Sequence, residues 1–232
     1  MKRIFDVLFS TLALLILFIP ILVIAFLIWL QDFKTPFYFA PRVGKNFKMF
    51  KMIKLRSMII NADATGVEST KSDDQRITSI GMKVRKYKVD EFTQLWNVLM
   101  GHMSLVGPRP NTEKGVSTYT ELEKKLLEIK PGMTDFSSII FSDEGEILKD
   151  STNPDLNYDS LIRPWKSRLG ILYCEKHNIS LDLKIIFFTI ISIFSKKIAC
   201  KYIANTLEKL KANVDLIDVS KRKKPLKHTI NI

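Results

Sequence analysis

The chain has 232 residues, 36 Lys and Arg against 24 Asp and Glu, a formal net charge of +12 and two cysteines. This length holds one sizeable core and is short for two independent domains, so one compact body with appendages is expected. Cys174 and Cys200, like His102, His177 and His228, show no metal-ligand spacing, which argues against a disulfide scaffold or a zinc site and for a reducing compartment.

In chain order, Met1-Lys2-Arg3 precedes an apolar run of 24 residues, Val7 to Leu30. At about 1.5 Å per residue such a helix reaches roughly 36 Å, enough for a hydrocarbon core of about 30 Å. The run ends in Ile28-Trp29-Leu30-Gln31-Asp32 without a small-x-small cleavage pattern, so it reads as retained rather than as a signal peptide. Pro20 removes a backbone donor near its middle and predicts a bend. Basic residues flank both ends, Lys2 and Arg3 before it and Lys34, Arg42 and Lys45 after it, and the positive-inside tendency pulls both flanks to one face. A kinked spanning helix and a re-entrant helix broken at Pro20 are both compatible with this pattern.

Phe37-Tyr38-Phe39 and Phe50 to Leu55 predict two short strands joined by a turn containing Gly44. Lys54 and Arg56 follow as a basic edge suited to phosphate. Asn61 to Ser79 is polar and reads as a loop or frayed helix over an active site. Phe92, Leu95, Trp96 and Leu99 recur at helical spacing and predict a helix with one buried face, Asp90 at its N-cap and Gly101 at its end. Placed there, Asp90 should be held ionised by the helix terminus. Arg76, Arg85, Lys86, Lys88 and Arg109 surround the Asp90-Glu91 pair in sequence, and Pro108 and Pro110 stiffen the backbone at Arg109, an arrangement suited to gripping phosphate.

Further along, Glu121 to Ile129 and Trp165 to His177 predict helices, and Lys130 to Asp135 reads as a turn. Leu181 to Phe194, at 14 residues, is too short to span; an interfacial helix and a buried core helix fit it equally. From Lys196 to Ile232 ten basic and three acidic residues form a basic tail contributing +7, a field that suits anionic headgroups.

These motifs carry a family resemblance. Phe39-x-x-Arg42-x-Gly44-Lys45, Lys54-x-Arg56-Ser57-Met58, Asp90-Glu91-x-x-Gln94-Leu95-Trp96-Asn97-Val98, Gly101-x-Met103-Ser104-Leu105-Val106-Gly107-Pro108-Arg109-Pro110 and Lys130-Pro131-Gly132-Met133-Thr134 together resemble the bacterial monotopic phosphoglycosyl transferases. The resemblance covers about residues 1 to 195 and implies an α+β fold: a mostly helical membrane-associated domain with an N-terminal re-entrant helix, a short β-hairpin and interfacial helices. The implied division is a membrane-anchoring helix over 1–33 broken at Pro20, a catalytic domain over 34–195 and a basic tail over 196–232.

The implied chemistry is transfer of a sugar-1-phosphate from a UDP-sugar to a polyprenyl phosphate through a covalent Asp90-phosphosugar intermediate, initiating glycan assembly. Glu91 looks like the Mg2+ ligand, and Lys54, Arg56, Arg85 and Arg109 resemble the family's basic, phosphate-binding positions. Inner-membrane phospholipids at the cytoplasmic face are the implied surroundings; nucleic acid is not an expected partner, and a homodimer is compatible. In this chain Ile19 precedes Pro20 where many members have Ser, and Thr134-Asp135-Phe136-Ser137-Ser138 departs from the Thr-Gly-Trp-Ala-Gln of several larger relatives. With no multi-span region ahead of the anchor, the chain resembles the minimal catalytic form. Two competing readings are a nonenzymatic basic protein binding membrane or nucleic acid, and a lipid-linked pyrophosphate hydrolase on the same fold.

Overall fold

A computed structural model describes residues 1–224 and 226. Its helices among those residues are α1 (Lys2–Asp32), α2 (Ser79–Lys86), α3 (Gln94–Met100), α4 (Glu113–Ser117), α5 (Phe136–Ile140), α6 (Glu144–Ile147), α7 (Pro154–Leu161), α8 (Arg163–Lys176), α9 (Ile179–Phe194), α10 (Lys196–Lys209) and α11 (Val214–Lys221). The strands are β1 (Phe37–Val43), β2 (Met49–Leu55), β3 (Ser104–Val106) and β4 (Gly132–Thr134). Helices dominate and the strands are short, as the α+β reading expects.

β1 and β2 pair antiparallel from Phe37 with Leu55 to Val43 with Met49. The turn between them uses left-handed backbone at Asn46 and Phe47. β3 and β4 pair parallel, Ser104 with Gly132 and Val106 with Thr134. The expected turn over Lys130–Asp135 is therefore corrected to a strand in its centre: Pro131 cannot donate to a ladder, yet its carbonyl accepts from Ser104 N at 2.8 Å and starts the pairing. Where this ladder ends, Gly107 and Gly132 lie so close that a Cβ on Gly132 would sit 2.0 Å from the Gly107 nitrogen. Gly132→Ala is expected to force the two backbones apart, at a cost of about 1–3 kcal/mol or more, read as a lowered melting temperature.

The main core joins Phe136, Ile139, Ile140, Leu148, Ile162, Leu169, Tyr173 and Ile185 to Ile203 and Leu207 of α10. A second core sets Leu14, Ile21, Ala25 and Ile28, one stripe of α1, against Leu55, Val84 and Leu95. α1 stays helical through Pro20. It is built inside-out for water: it buries Asp6 and Ser10 while exposing Leu8, Leu12, Leu15, Ile16 and Ile19. Its ends are tied by polar groups to the same body. Lys2 Nζ meets Asp182 Oδ2 at 2.5 Å and donates to Val106 O at 3.1 Å, Asp6 accepts from Ser104 Oγ and Leu105 N, and Asp32 grips Arg56.

α9 buries Leu181, Ile185 and Phe188, as the core-helix reading expects, and exposes Leu183, Phe187, Ile190 and Phe194. Two expectations are corrected. Trp96 is 45% exposed, because α3 turns Leu95 toward α1 and Val98 toward the hairpin, leaving Trp96 outside. Residues 196–221 are more than a basic tail: α10 and α11 bury Ala199, Ile203, Leu207 and Leu216 in the main core, while Lys197, Lys201 and Lys209 stay exposed. The rest of the tail, Pro225 and residues 227–232, lies outside the described residues.

Candidate active site

The hairpin and α3 fix the site before any charge is considered. The Asn97 side chain bridges β2, accepting from Ile53 N at 2.9 Å and donating to Lys51 O at 2.8 Å. Thr93 Oγ1 donates to Ile53 O at 3.0 Å, with Asp90 O at 3.2 Å. These bonds hold the residue after Ile53, Lys54, opposite the acidic pair. Lys54 Nζ stands 3.9 Å from Asp90 Oδ2 and 3.7 Å from Glu91 Oε1. Arg109 faces Glu91 with both terminal nitrogens, Nη2 toward Oε1 and Nη1 toward Oε2. Its position follows from the close glycine approach, since Gly107 N donates to Thr134 O at 3.1 Å and Gly132 N to Pro108 O at 2.9 Å.

Asp90 is not the N-cap of α3. It lies in a 3-10 turn, Val89–Glu91, after Lys88 in the left-handed region at φ 54°, and α3 begins only at Gln94. The expected lowering of its pKa is therefore reversed. Burial, with 7% of the residue exposed, pushes the Asp90 carboxyl above the usual range; Lys54 opposes this and the negative charge of Glu91 adds to it. Glu91 goes the other way. Burial disfavours its charge, but Arg109 and Lys54 outweigh that and hold it well below the usual range. Two neighbouring carboxylates with separated proton affinities suit two different roles.

The pair opens into a cavity of about 1600 Å³. Lys54, Arg85, Arg109, Arg42, Lys88 and Lys166 all line it, as do further carboxylates such as Glu68, Asp135, Glu144 and Asp155; the cations that meet the pair itself are Lys54 and Arg109. Arg85 acts on Asp90 through space, favouring its ionised form. The polar segment after Asn61 also lines the cavity, as expected of a loop over a site, tied across it where Asp155 accepts from Ser69 N at 2.8 Å and Gly145 O from Ser72 N at 3.0 Å.

Arg56 departs from its expected role. It borders the cavity, but its guanidinium donates twice to Asp32, at 2.6 Å each, and to Thr35 O at 2.7 Å. It clamps the end of α1 to β2. Arg56→Lys keeps the charge and loses the two-pronged grip; a melting temperature lower by about a few degrees is expected, with the KM for any phosphate-bearing donor unchanged.

Sequence reasoning missed the far wall, where Lys166 pairs with Glu144 over the Tyr158 ring, 5.1 Å from its centroid. Glu144 also raises the proton affinity of Arg109, after the larger effect of Glu91. Lys166 and Glu144 are 22 residues apart, so no local spacing could have announced the pair.

Among the described residues no group of three or more His, Cys, Asp or Glu side chains could cage a metal. Asp90 and Glu91 line the cavity with the hard oxygen donors that Mg2+ takes, one or two carboxylates with water and substrate phosphates completing the shell, and both Glu91 oxygens face Arg109 in this structure.

A helix long and apolar enough to cross a membrane packs beside a cavity in which two adjacent carboxylates meet Lys54 and Arg109. The chain belongs to the bacterial sugar transferase family, whose description matches residues 1–196. It is 36% identical over 203 residues to the exopolysaccharide production protein PSS of Rhizobium leguminosarum bv. phaseoli, covering 83% of this chain and 94% of that one. To the undecaprenyl-phosphate glucose phosphotransferase of Komagataeibacter xylinus it is 36% identical over 197 residues, 82% of this chain and 35% of that one. To the putative undecaprenyl-phosphate N-acetylgalactosaminyl 1-phosphate transferase of Bacillus subtilis it is 43% identical over 133 residues, 57% of this chain and 70% of that one.

Proposed function

We propose that this chain transfers a sugar-1-phosphate from a UDP-sugar to a polyprenyl phosphate, in two steps through Asp90. An Asp90 carboxylate oxygen attacks the sugar-linked phosphorus, the phosphoanhydride bond breaks and UMP leaves. An oxygen of the lipid phosphate then attacks the same phosphorus, and breaking the bond to Asp90 restores the carboxylate and yields a polyprenyl-diphosphate sugar. The observation that carries this reading is the placement of two adjacent carboxylates, Asp90 and Glu91, against Lys54 and Arg109 in one cavity. The raised proton affinity of Asp90 makes its ionised form a better nucleophile than an ordinary aspartate, and Lys54 keeps that form accessible.

Lys54, Arg85 and Arg109 would stabilise charge building on the transferring phosphoryl group. Glu91, with Asp90 beside it, would hold Mg2+. When bound, the ion supplies charge neutralisation on the donor phosphates. The reading of relatives named for undecaprenyl phosphate supports the lipid acceptor.

α1 would enter one leaflet from the cytoplasmic face of the inner membrane, bend near Pro20 and return. The polar ties of Lys2, Asp6 and Asp32 to one body support this, since a spanning helix would place its ends on opposite sides of the bilayer. The test is a panel of UDP-sugars with polyprenyl phosphate and Mg2+. UMP release matched by sugar phosphate on lipid is expected. Sugar phosphate released to water instead would select the hydrolase reading.

A further inference from the structure

The family match ends at residue 196, yet α10 and α11 continue the main core. Their two polar grips converge on one residue. Lys196 Nζ stands 2.5 Å from Asp143 Oδ1, and Arg222 Nη2 stands 3.1 Å from Asp143 Oδ2. The Arg222 guanidinium also lies over the buried Phe141 ring, 5.6 Å from its centroid. Lys196 opens α10 and Arg222 closes α11, so the helical pair grips the corner between α5 and α6 from both its ends.

That corner lines the cavity with Asp143 itself and with the next two residues. Glu144 pairs with Lys166 on the far wall. The carbonyl of Gly145 accepts from Ser72 N at 3.0 Å and so docks the loop that crosses the cavity. α6 has four residues and no side-chain cap at Asp143. A single uncapped turn does not hold itself, because nucleation costs more than one turn of hydrogen bonds returns. Its placement must come from outside, and Asp143 is one of the points where the outside grips it, beside Leu148 in the main core and Glu144 on Lys166.

We infer that α10 and α11 are a positioning element for the far wall of the cavity, with Lys196 and Arg222 acting through Asp143 to set Glu144, Lys166 and the Ser72 loop. The ligand served is the nucleotide-sugar donor, and this part rests on the transfer reading above. Lys196 and Arg222 are positioning residues; neither lines the large cavity.

The test compares wild type, Arg222→Gln and Arg222→Lys in the full chain. Amide hydrogen exchange is followed over residues 66–75 and 141–148, with KM measured separately for a UDP-sugar and for polyprenyl phosphate. In Arg222→Gln, exchange in both segments is expected to speed about tenfold and the donor KM to rise about three- to tenfold, converting at about 1.4 kcal/mol per decade. The acceptor KM should stay within twofold, kcat at saturating donor should change little, and Arg222→Lys should recover most of the loss. Unchanged exchange in both segments overturns the inference, as does a loss shared equally by both substrates alongside a lower melting temperature. If the wild type transfers no sugar phosphate, the transfer reading falls by itself while the exchange comparison still decides whether the clamp orders the corner.

Discussion

Asp90→Asn is expected to abolish the covalent adduct formed with UDP-sugar in the absence of lipid and to cut transfer by about a thousandfold or more, which is about 4 kcal/mol of lost transition-state stabilisation. The substitution preserves shape. The backbone contact from Thr93 to Asp90 O, and the ties of Thr93 and Asn97 to β2, do not involve the carboxylate. A folded protein with the same melting behaviour is therefore expected, and the loss should lie in kcat. An amide oxygen is a poor nucleophile toward phosphorus and carries no charge for Lys54 to balance at 3.9 Å. Intact-mass measurement after incubation with Mg2+ and donor separates the outcomes: wild type gains one sugar phosphate and the variant gains none. An adduct formed by the variant at the wild-type rate would sink the assignment of Asp90.

The parts of this site written in local spacing were legible from the residues alone. The aromatic run Phe37-Tyr38-Phe39 and the turn at Gly44 gave the hairpin, and the cavity-lining segment after Asn61 followed from its polarity. The acidic pair and Arg109 between two prolines came together as expected. What escaped depends on partners distant in the chain. Arg56 looked like a phosphate ligand because its partner, Asp32, is 24 residues away at the end of an apolar helix. β4 hid because Lys130-Pro131-Gly132 has turn composition, and three residues of parallel strand leave no periodicity to read.

Trp96 fell on the wrong side because helical spacing gives a face but not which neighbours press on it. The direction of the Asp90 shift escaped for a related reason. A helix-terminus argument needs Asp90 to be a cap, whereas a left-handed Lys88 makes a separate 3-10 turn and tucks the carboxylate into the protein. Composition likewise read the C-terminal segment by its charge, although its alanines and isoleucines decide where α10 packs.

Glu91→Gln is expected to lower transfer by about a hundredfold and to move the Mg2+ concentration needed for half-maximal activity upward, with the adduct still detectable at long times. Glu91 now receives both terminal nitrogens of Arg109 and stands 3.7 Å from Lys54. A glutamine has one acceptor oxygen in place of two. Whichever way its amide turns, its NH2 group faces a terminal nitrogen of Arg109, and in one orientation Lys54 as well, donor against donor. Arg109 then loses the charge that most raises its proton affinity and is left among Lys54, Lys166 and Arg42 without its counter-ion. The penalty is thus shared by the arginine, so the effects of Glu91→Gln and Arg109→Gln should not add; a double variant is expected to be nearly as active as the worse single one. Fully additive losses, with the Mg2+ dependence unmoved in Glu91→Gln, would show that the carboxylate neither holds the ion nor works through Arg109.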